Sequence, residues 1–218
     1  MASRYRLVYA LGDGLYVNLT NTCTLACVFC PKVRDGDWTI GGYDLRLESE
    51  PTLDAIWRSA RAAGIASPSE IVFTGFGEST RRLSILVELI SRFKAAGARR
   101  VRLDTDGLAN LREGRNVVPE LAKVGLDAVS VSVNAADAVT YARICPNRYG
   151  PAAWNAACEF VRAASRDLPE VTASFVGLPG LSKVACRDLA RSLEARFRWR
   201  VYDRRDSNPE VIQKPIES

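Results

Sequence analysis

The residues with the clearest chemical potential lie in one stretch, Asn21-Thr-Cys-Thr-Leu-Ala-Cys-Val-Phe-Cys-Pro31. Cys23, Cys27 and Cys30 stand in the spacing C-x3-C-x2-C. Three thiolates can hold three corners of a [4Fe–4S] cube and leave the fourth iron open to a second molecule. The competing reading is a zinc site, but zinc usually takes four protein ligands when structural. The chain has no histidine, so a fourth ligand would have to come from a distant cysteine or a carboxylate.

The absence of histidine also removes Ser-His and Cys-His nucleophile pairs and every histidine general base. Chemistry must then fall to cysteine, carboxylate, lysine or a cofactor. Six cysteines in a chain of 218 residues, with no apolar leader at Met-Ala-Ser-Arg-Tyr-Arg, argue for a reduced, cytoplasmic protein rather than a disulfide scaffold. No apolar run approaches the roughly 20 residues of a membrane helix, so no membrane partner is expected. The net charge is +5, with Arg191, Arg196, Arg198, Arg200, Arg204 and Arg205 crowded late in the chain. That balance suits an anionic substrate or nucleic acid, and equally a solvated basic surface.

The elements that must position these residues read as follows. Arg4–Leu11 and Gly14–Thr20 form a hairpin around Gly12-Asp13-Gly14, and the second run delivers the chain to Cys23. Residues 32–50 lack a period and carry Gly36, Gly41 and Gly42, so they read as loop. Thr52 caps a helix, Glu70–Thr74 is a strand, and a helix from Leu83 closes at Gly97. Arg99–Asp104 and Leu126–Val133 are strands, with a short helix over Val117–Val124 between them. Helices over Ala135–Ile144 and Trp154–Ser165 flank a loop that contains Cys145. A strand over Glu170–Val176, a helix capped by Ser182 and a strand over Arg198–Asp203 complete the pattern. A core domain over residues 1–203 and a polar tail over 204–218 are expected.

Six strand–helix repeats predict an α/β fold, a partial (β/α)6 TIM-like barrel open on one side. No Gly-x-Gly-x-x-Gly follows the first strand, which disfavours a dinucleotide fold. Barrel active sites lie at the strand C-terminal ends. The cysteine loop, Gly77-Glu78, Asp104–Asp106, Asn134 and Gly177–Pro179 all fall there.

With these motifs aligned, the chain resembles the radical S-adenosylmethionine (SAM) superfamily over roughly residues 5–203. More closely, Leu-Tyr-Val-Asn-Leu-Thr-Asn-Thr-Cys, Val-Phe-Thr-Gly-Phe-Gly-Glu, Arg-Leu-Asp-Thr-Asp-Gly and Ala-Val-Ser-Val-Ser-Val-Asn-Ala resemble the TatD-associated radical SAM family. The resemblance implies that Cys23, Cys27 and Cys30 ligate a [4Fe–4S] cluster whose open iron chelates SAM. It implies that Glu78, beside Gly77, accepts from the SAM amino group and that Phe29 lies against adenine. Thr105, Asp106, Ser132 and Asn134 would lie near the ribose or carboxylate, and Gly177 would let backbone approach adenine. An external one-electron donor of flavodoxin or ferredoxin type would reduce the cluster. SAM would then be cleaved to a 5′-deoxyadenosyl radical that takes hydrogen from a substrate. Ser79 stands where the family pattern favours proline, and Asp104 and Asp106 stand where it favours asparagine. An ionised aspartate only accepts hydrogen bonds, so contacts carried over to that strand change character.

For Glu78 the plain alternative is a surface glutamate after a turn. Cys158 and Cys186 read as buried small apolar residues, and Cys145 as structural, with a substrate-side thiol as its alternative. Arg198 and Arg200 alternate with Phe197 and Trp199. They either face the barrel and attract an anionic small-molecule substrate, or keep an edge strand from pairing. Radical SAM modification of RNA or a protein side chain, and a non-catalytic iron–sulfur or zinc module, are the alternatives.

Overall fold

The structure, a computed structural model, describes residues 6–202 of the chain. The expected tail over 204–218 lies outside the described residues, as does the end of the last expected strand. In chain order the elements begin with strands β1 (Val8–Leu11) and β2 (Gly14–Val17), helix α1 (Pro31–Arg34), and strands β3 (Thr39–Ile40) and β4 (Tyr43–Asp44). Helix α2 (Leu53–Ala63), strand β5 (Ile71–Phe73), helix α3 (Leu83–Ala95) and strand β6 (Val101–Thr105) follow. Then come helices α4 (Ala109–Glu113) and α5 (Val118–Lys123), strand β7 (Ala128–Ser132), and helices α6 (Ala138–Ile144) and α7 (Ala152–Asp167). Strand β8 (Glu170–Val176), helix α8 (Lys183–Ser192) and strand β9 (Arg196–Arg200) close the fold.

The main sheet runs β1-β2-β5-β6-β7-β8-β9, with β1 antiparallel to β2 and every other neighbour parallel. Among the described residues β1 and β9 do not pair, so the sheet curls into the partial barrel and stays open. Connections that return a strand to run parallel need a crossover, and the helices supply it. Three of the helices, α2, α6 and α8, start at a side-chain cap. The Thr52 hydroxyl accepts from Ala55 N–H, Asp137 from Thr140 N–H and Ser182 from Ala185 N–H, at 2.8–3.2 Å. The apolar faces of α2 and α3 pack on the sheet. Ile56, Leu86, Ile90 and Phe93 meet Val17, Phe73 and Leu103 in one core.

Three expectations shift. Residues 32–50 are not simply loop: they hold α1 and the β3–β4 hairpin. Gly41 and Gly42, with φ of 56° and 82°, are the two central residues of that hairpin, where left-handed backbone is required. Helix α4 fills a stretch that carried no helical period. The last strand begins at Arg196, two residues early, because Glu194 at φ 57° ends the preceding turn and swings the chain back.

Candidate functional site

All six parallel strands point their C-terminal ends to one side, and the cysteine loop crosses that side after β2. Asn21 holds the loop's root by mimicking a strand: its amide donates to Leu47 C=O at 2.6 Å and accepts from Leu47 N–H at 3.0 Å. Lys32 ties the far end, donating from Nζ to Asn21 C=O and Phe76 C=O at 3.1 and 2.8 Å. Cys30 opens α1 with Pro31 at its first position, where a missing N–H costs nothing. Gly77 is required by close approach: a Cβ there would lie 2.0 Å from Thr20 C=O. Glu78 N–H donates to Thr22 C=O at 2.9 Å, so the turn after β5 is stitched to the cysteine loop.

Cys23, Cys27 and Cys30 line one cavity of about 250 Å³ with Phe29, Gly77 and Glu78. Thr105, Asp106, Ser132 and Asn134 complete the side formed by β6 and β7, and Arg198 and Arg200 the side formed by β9. Gly177 sits outside that lining. Its N–H donates to Arg200 C=O at 2.8 Å, and a Cβ there would meet the Trp199 indole at 2.8 Å. The glycine thus lets β8 and β9 stay in contact beyond their last paired residues.

Glu78 is 4% exposed, which overturns the surface-glutamate alternative. Its Oε1 accepts from Thr80 N–H, Thr80 Oγ1 and Thr105 Oγ1 at 2.7–3.0 Å, and Oε2 accepts from Asp106 N–H at 2.7 Å. Thr105 therefore holds Glu78 in place. Asp106 is buried beside it: Oδ1 accepts from Leu108 N–H at 2.8 Å, while Oδ2 has no partner among the described residues. Burial, and then the Glu78 charge, push the Asp106 carboxyl up to about 8. Burial and Glu78 likewise push the Cys23 thiol up to about 12. Cys27 rises through its hydrogen bond with Cys145 and through burial, and Cys30 through burial. These acids keep their protons until positive charge arrives, which is what a metal or a ligand cation supplies.

Sequence reasoning missed two residues here. Arg112, on α4, donates to Thr24 Oγ1 at 3.1 Å in the cysteine loop and to Thr80 Oγ1 at 2.6 Å. Tyr141, on α6, is fully buried in the apolar cluster that receives Cys23 and Cys27. Neither stood in a motif.

The donor set fits an iron–sulfur cluster with a polar second ligand. Five buried side-chain polar atoms lack a partner among the described residues. Two of them, Asp106 Oδ2 and Arg200 Nε, belong to residues that line the cavity. Buried polar atoms are almost always paired, so two orphans on one cavity wall mark where a polar group belongs.

A family model described as the radical SAM superfamily matches residues 17–193. The chain belongs to the radical SAM superfamily. A curated radical SAM relative, the probable dual-specificity RNA methyltransferase RlmN of Prochlorococcus marinus (strain MIT 9211), is 31% identical over 107 residues, 48% of this chain and 26% of that protein. Streptococcus suis SuiB, solved with its precursor peptide SuiA, superposes with a TM-score of 0.65 at 15% identity, covering 90% of this chain and 40% of that one. A radical SAM methyltransferase from Sphaerobacter thermophilus gives a TM-score of 0.56 at 22% identity, covering 89% and 57%. The chain thus spans about a quarter to three-fifths of these relatives' lengths, and the structural likeness carries the radical SAM partial barrel alone. Among the described residues no helix is long and apolar enough to cross a membrane.

Proposed function

We propose that this chain is a radical SAM enzyme that holds a [4Fe–4S] cluster on Cys23, Cys27 and Cys30 and reductively cleaves SAM to act on a small, anionic substrate. The observation that carries it is one cavity with three thiols, a buried acid pair and two arginines at the strand C-terminal ends. Among the described residues no three Cys, Asp or Glu side chains converge as ligands of a single metal ion. Zinc needs its ligands within about 2.3 Å of one point, whereas a cluster spreads its thiolates over separate irons. When bound, cluster and SAM supply one-electron carbon–sulfur cleavage and a 5′-deoxyadenosyl radical that takes hydrogen from the substrate.

The chain's own residues bind, orient and exclude water. Among the described residues Glu78 Oε2 has one donor and room for another and Asp106 Oδ2 has none, so the two acids receive the SAM ammonium. Phe29 lies against adenine, and Ser132 and Asn134 take ribose or carboxylate oxygens. Gly177 lies outside the cavity and takes no contact with SAM in this reading, since its missing Cβ makes room for Trp199. Arg198 has no ion-pair partner among the described residues and draws the anionic group of the substrate. A flavodoxin or ferredoxin type donor supplies the electron. The residue runs quoted above support the TatD-associated branch; the family match reaches only the superfamily. A second reading, action on RNA, is supported by the likeness to an RNA methyltransferase and by the net charge of +5.

The test is anaerobic reconstitution with iron and sulfide, reduction, and addition of SAM. The expected result is a [4Fe–4S] signal perturbed by SAM, with 5′-deoxyadenosine formed, and loss of the cluster in Cys27→Ala. Retention of zinc with no SAM cleavage overturns the reading. Stimulation of 5′-deoxyadenosine formation by bulk RNA, and not by small carboxylates or phosphates, selects the second.

A further inference from the structure

One buried thiol has no part in the site as described. Cys145 is fully buried at the C-terminal end of α6 and packs in the same apolar cluster as Cys27. The backbone holds the two cysteines opposite one another. Ala26 N–H donates to Pro146 C=O at 2.8 Å and Val28 N–H donates to Ile144 C=O at 3.0 Å, so a hydrogen bond brackets the pair on each side. The cysteine loop is thereby strapped to the α6–α7 loop at Cys27 and at neither of the other two cysteines.

Side chains then give this contact a direction. Arg200 Nη2 donates to Asn134 Oδ1 at 2.7 Å. A guanidinium has no acceptor, so it fixes which end of the Asn134 amide is oxygen. The NH2 end must face the other way, and there it donates to Cys145 Sγ at 3.4 Å. Asn134 is 1% exposed and sits at φ 59°, a left-handed conformation that asparagine tolerates better than most residues. With its sulfur already accepting from Asn134, Cys145 has its S–H left to donate. Cys27 packs opposite it in the same apolar cluster, and a Cys27 that ligates iron is a thiolate with no proton of its own, so it can only accept.

We propose that Arg200, Asn134 and Cys145 form a hydrogen-bond chain that ends as a donor on the Cys27 sulfur, and that this chain sets the reduction potential of the cluster. The inference rests on the cluster reading above. Reduction adds negative charge to the cluster, part of which resides on the ligand sulfurs. A donor aimed at one of those sulfurs stabilises the reduced form more than the oxidised form and raises the potential. Cys145 is a positioning and tuning residue and ligates no iron. Because Arg200 also lines the cavity, the chain runs from the cavity wall to one thiolate of the cluster. Cys23 and Cys30 lack such a chain among the described residues.

The test is a reductive titration of the reconstituted wild type, Cys145→Ala and Cys145→Ser, followed by the spectrum of the reduced cluster, with iron and sulfide counted for each. The expected result is full iron content in all three. The Cys145→Ala midpoint moves to a more negative potential, so that its reduced fraction at a fixed potential drops several-fold. Cys145→Ser, which keeps a donor, returns towards the wild type. If Cys145→Ala fails to hold a cluster, the near-isosteric Cys145→Val serves as the donor-free variant. A purely structural role would change stability or iron content and leave the potential in place. An unchanged or more positive midpoint with a full cluster overturns the inference alone. A drop to three irons overturns it too, by making Cys145 a ligand. A wild type that takes up no iron overturns the cluster reading and the inference together.

Discussion

Asp106 is the residue in which the site's charge problem is most visible. One of its oxygens is used by Leu108 N–H, the other is buried with no partner among the described residues, and Glu78 presses on it from the side. The folded carboxyl keeps its proton up to about pH 8, while an unperturbed one releases it near 3.8. Between those values the folded chain binds a proton that the unfolded chain has lost, so stability falls as pH rises. The contribution is fully present below the unfolded value and gone once pH passes the folded one. In ligand-free protein the urea midpoint is expected to decline from pH 5 to pH 8. Asp106→Asn, which has nothing to ionise, should flatten that part of the profile and bind SAM more weakly. An identical slope in both proteins would place the pH dependence elsewhere. Cys23, Cys27, Cys30, Glu78 and Asp106 stood out in the sequence through the cysteine spacing, the strand ends and the family resemblance, and the fold brings them around one cavity. Arg112 and Tyr141 were not, since each reaches the site only through the path of a turn or the packing of a short helix.

At the scale of elements, the site depends on how closely the turn after β5 approaches the cysteine loop. Gly77 decides that approach. Its missing Cβ leaves room for the Thr20 carbonyl, and the next residue donates its N–H to Thr22 C=O. Gly77→Ala would drive a methyl group to 2.0 Å from the Thr20 carbonyl oxygen. Backbone must then shift, at a cost of about 1–3 kcal/mol. Thermal denaturation should show that loss, and iron uptake should fall as Glu78 swings away from Cys23. Wild-type melting with full iron uptake would mean that the turn is looser than its contacts imply. The element order was legible because strand and helix periods alternate cleanly and three side-chain caps mark helix starts. The hairpin within residues 32–50 was not, because two-residue strands carry no measurable period. The start of β9 was misplaced because a left-handed Glu194 leaves no compositional mark.

Across the whole molecule, charge divides the barrel along its axis. The C-terminal end carries the acid pair, the thiols and two arginines around one cavity. At the other end a second cavity of about 620 Å³ is lined by Glu70, Arg100, Glu170 and Arg196, and it shares Ser130 and Arg198 with the first. There the arginines are spent on ion pairs that cross strands. Arg100 meets Glu170 at 2.9 Å, Arg196 meets Glu170 at 2.6 Å and Arg102 meets Glu70 at 3.1 Å. An open barrel with a polar interior lacks the apolar layers that fill a closed one, so these pairs help to fasten β5, β6, β8 and β9 at that end. The pairs are partly exposed, which limits each to about 0.2–1 kcal/mol. Glu170→Gln removes the carboxylate shared by Arg100 and Arg196 and should cost on the order of 1 kcal/mol. The loss should shrink in molar salt, where the screening length is about 3 Å. Iron uptake and SAM binding should stay at wild-type levels, since the ion pairs of Glu170 are with Arg100 and Arg196 at the opposite end. A drop in SAM binding with unchanged stability would reverse this division, making the N-terminal end part of the site rather than its support.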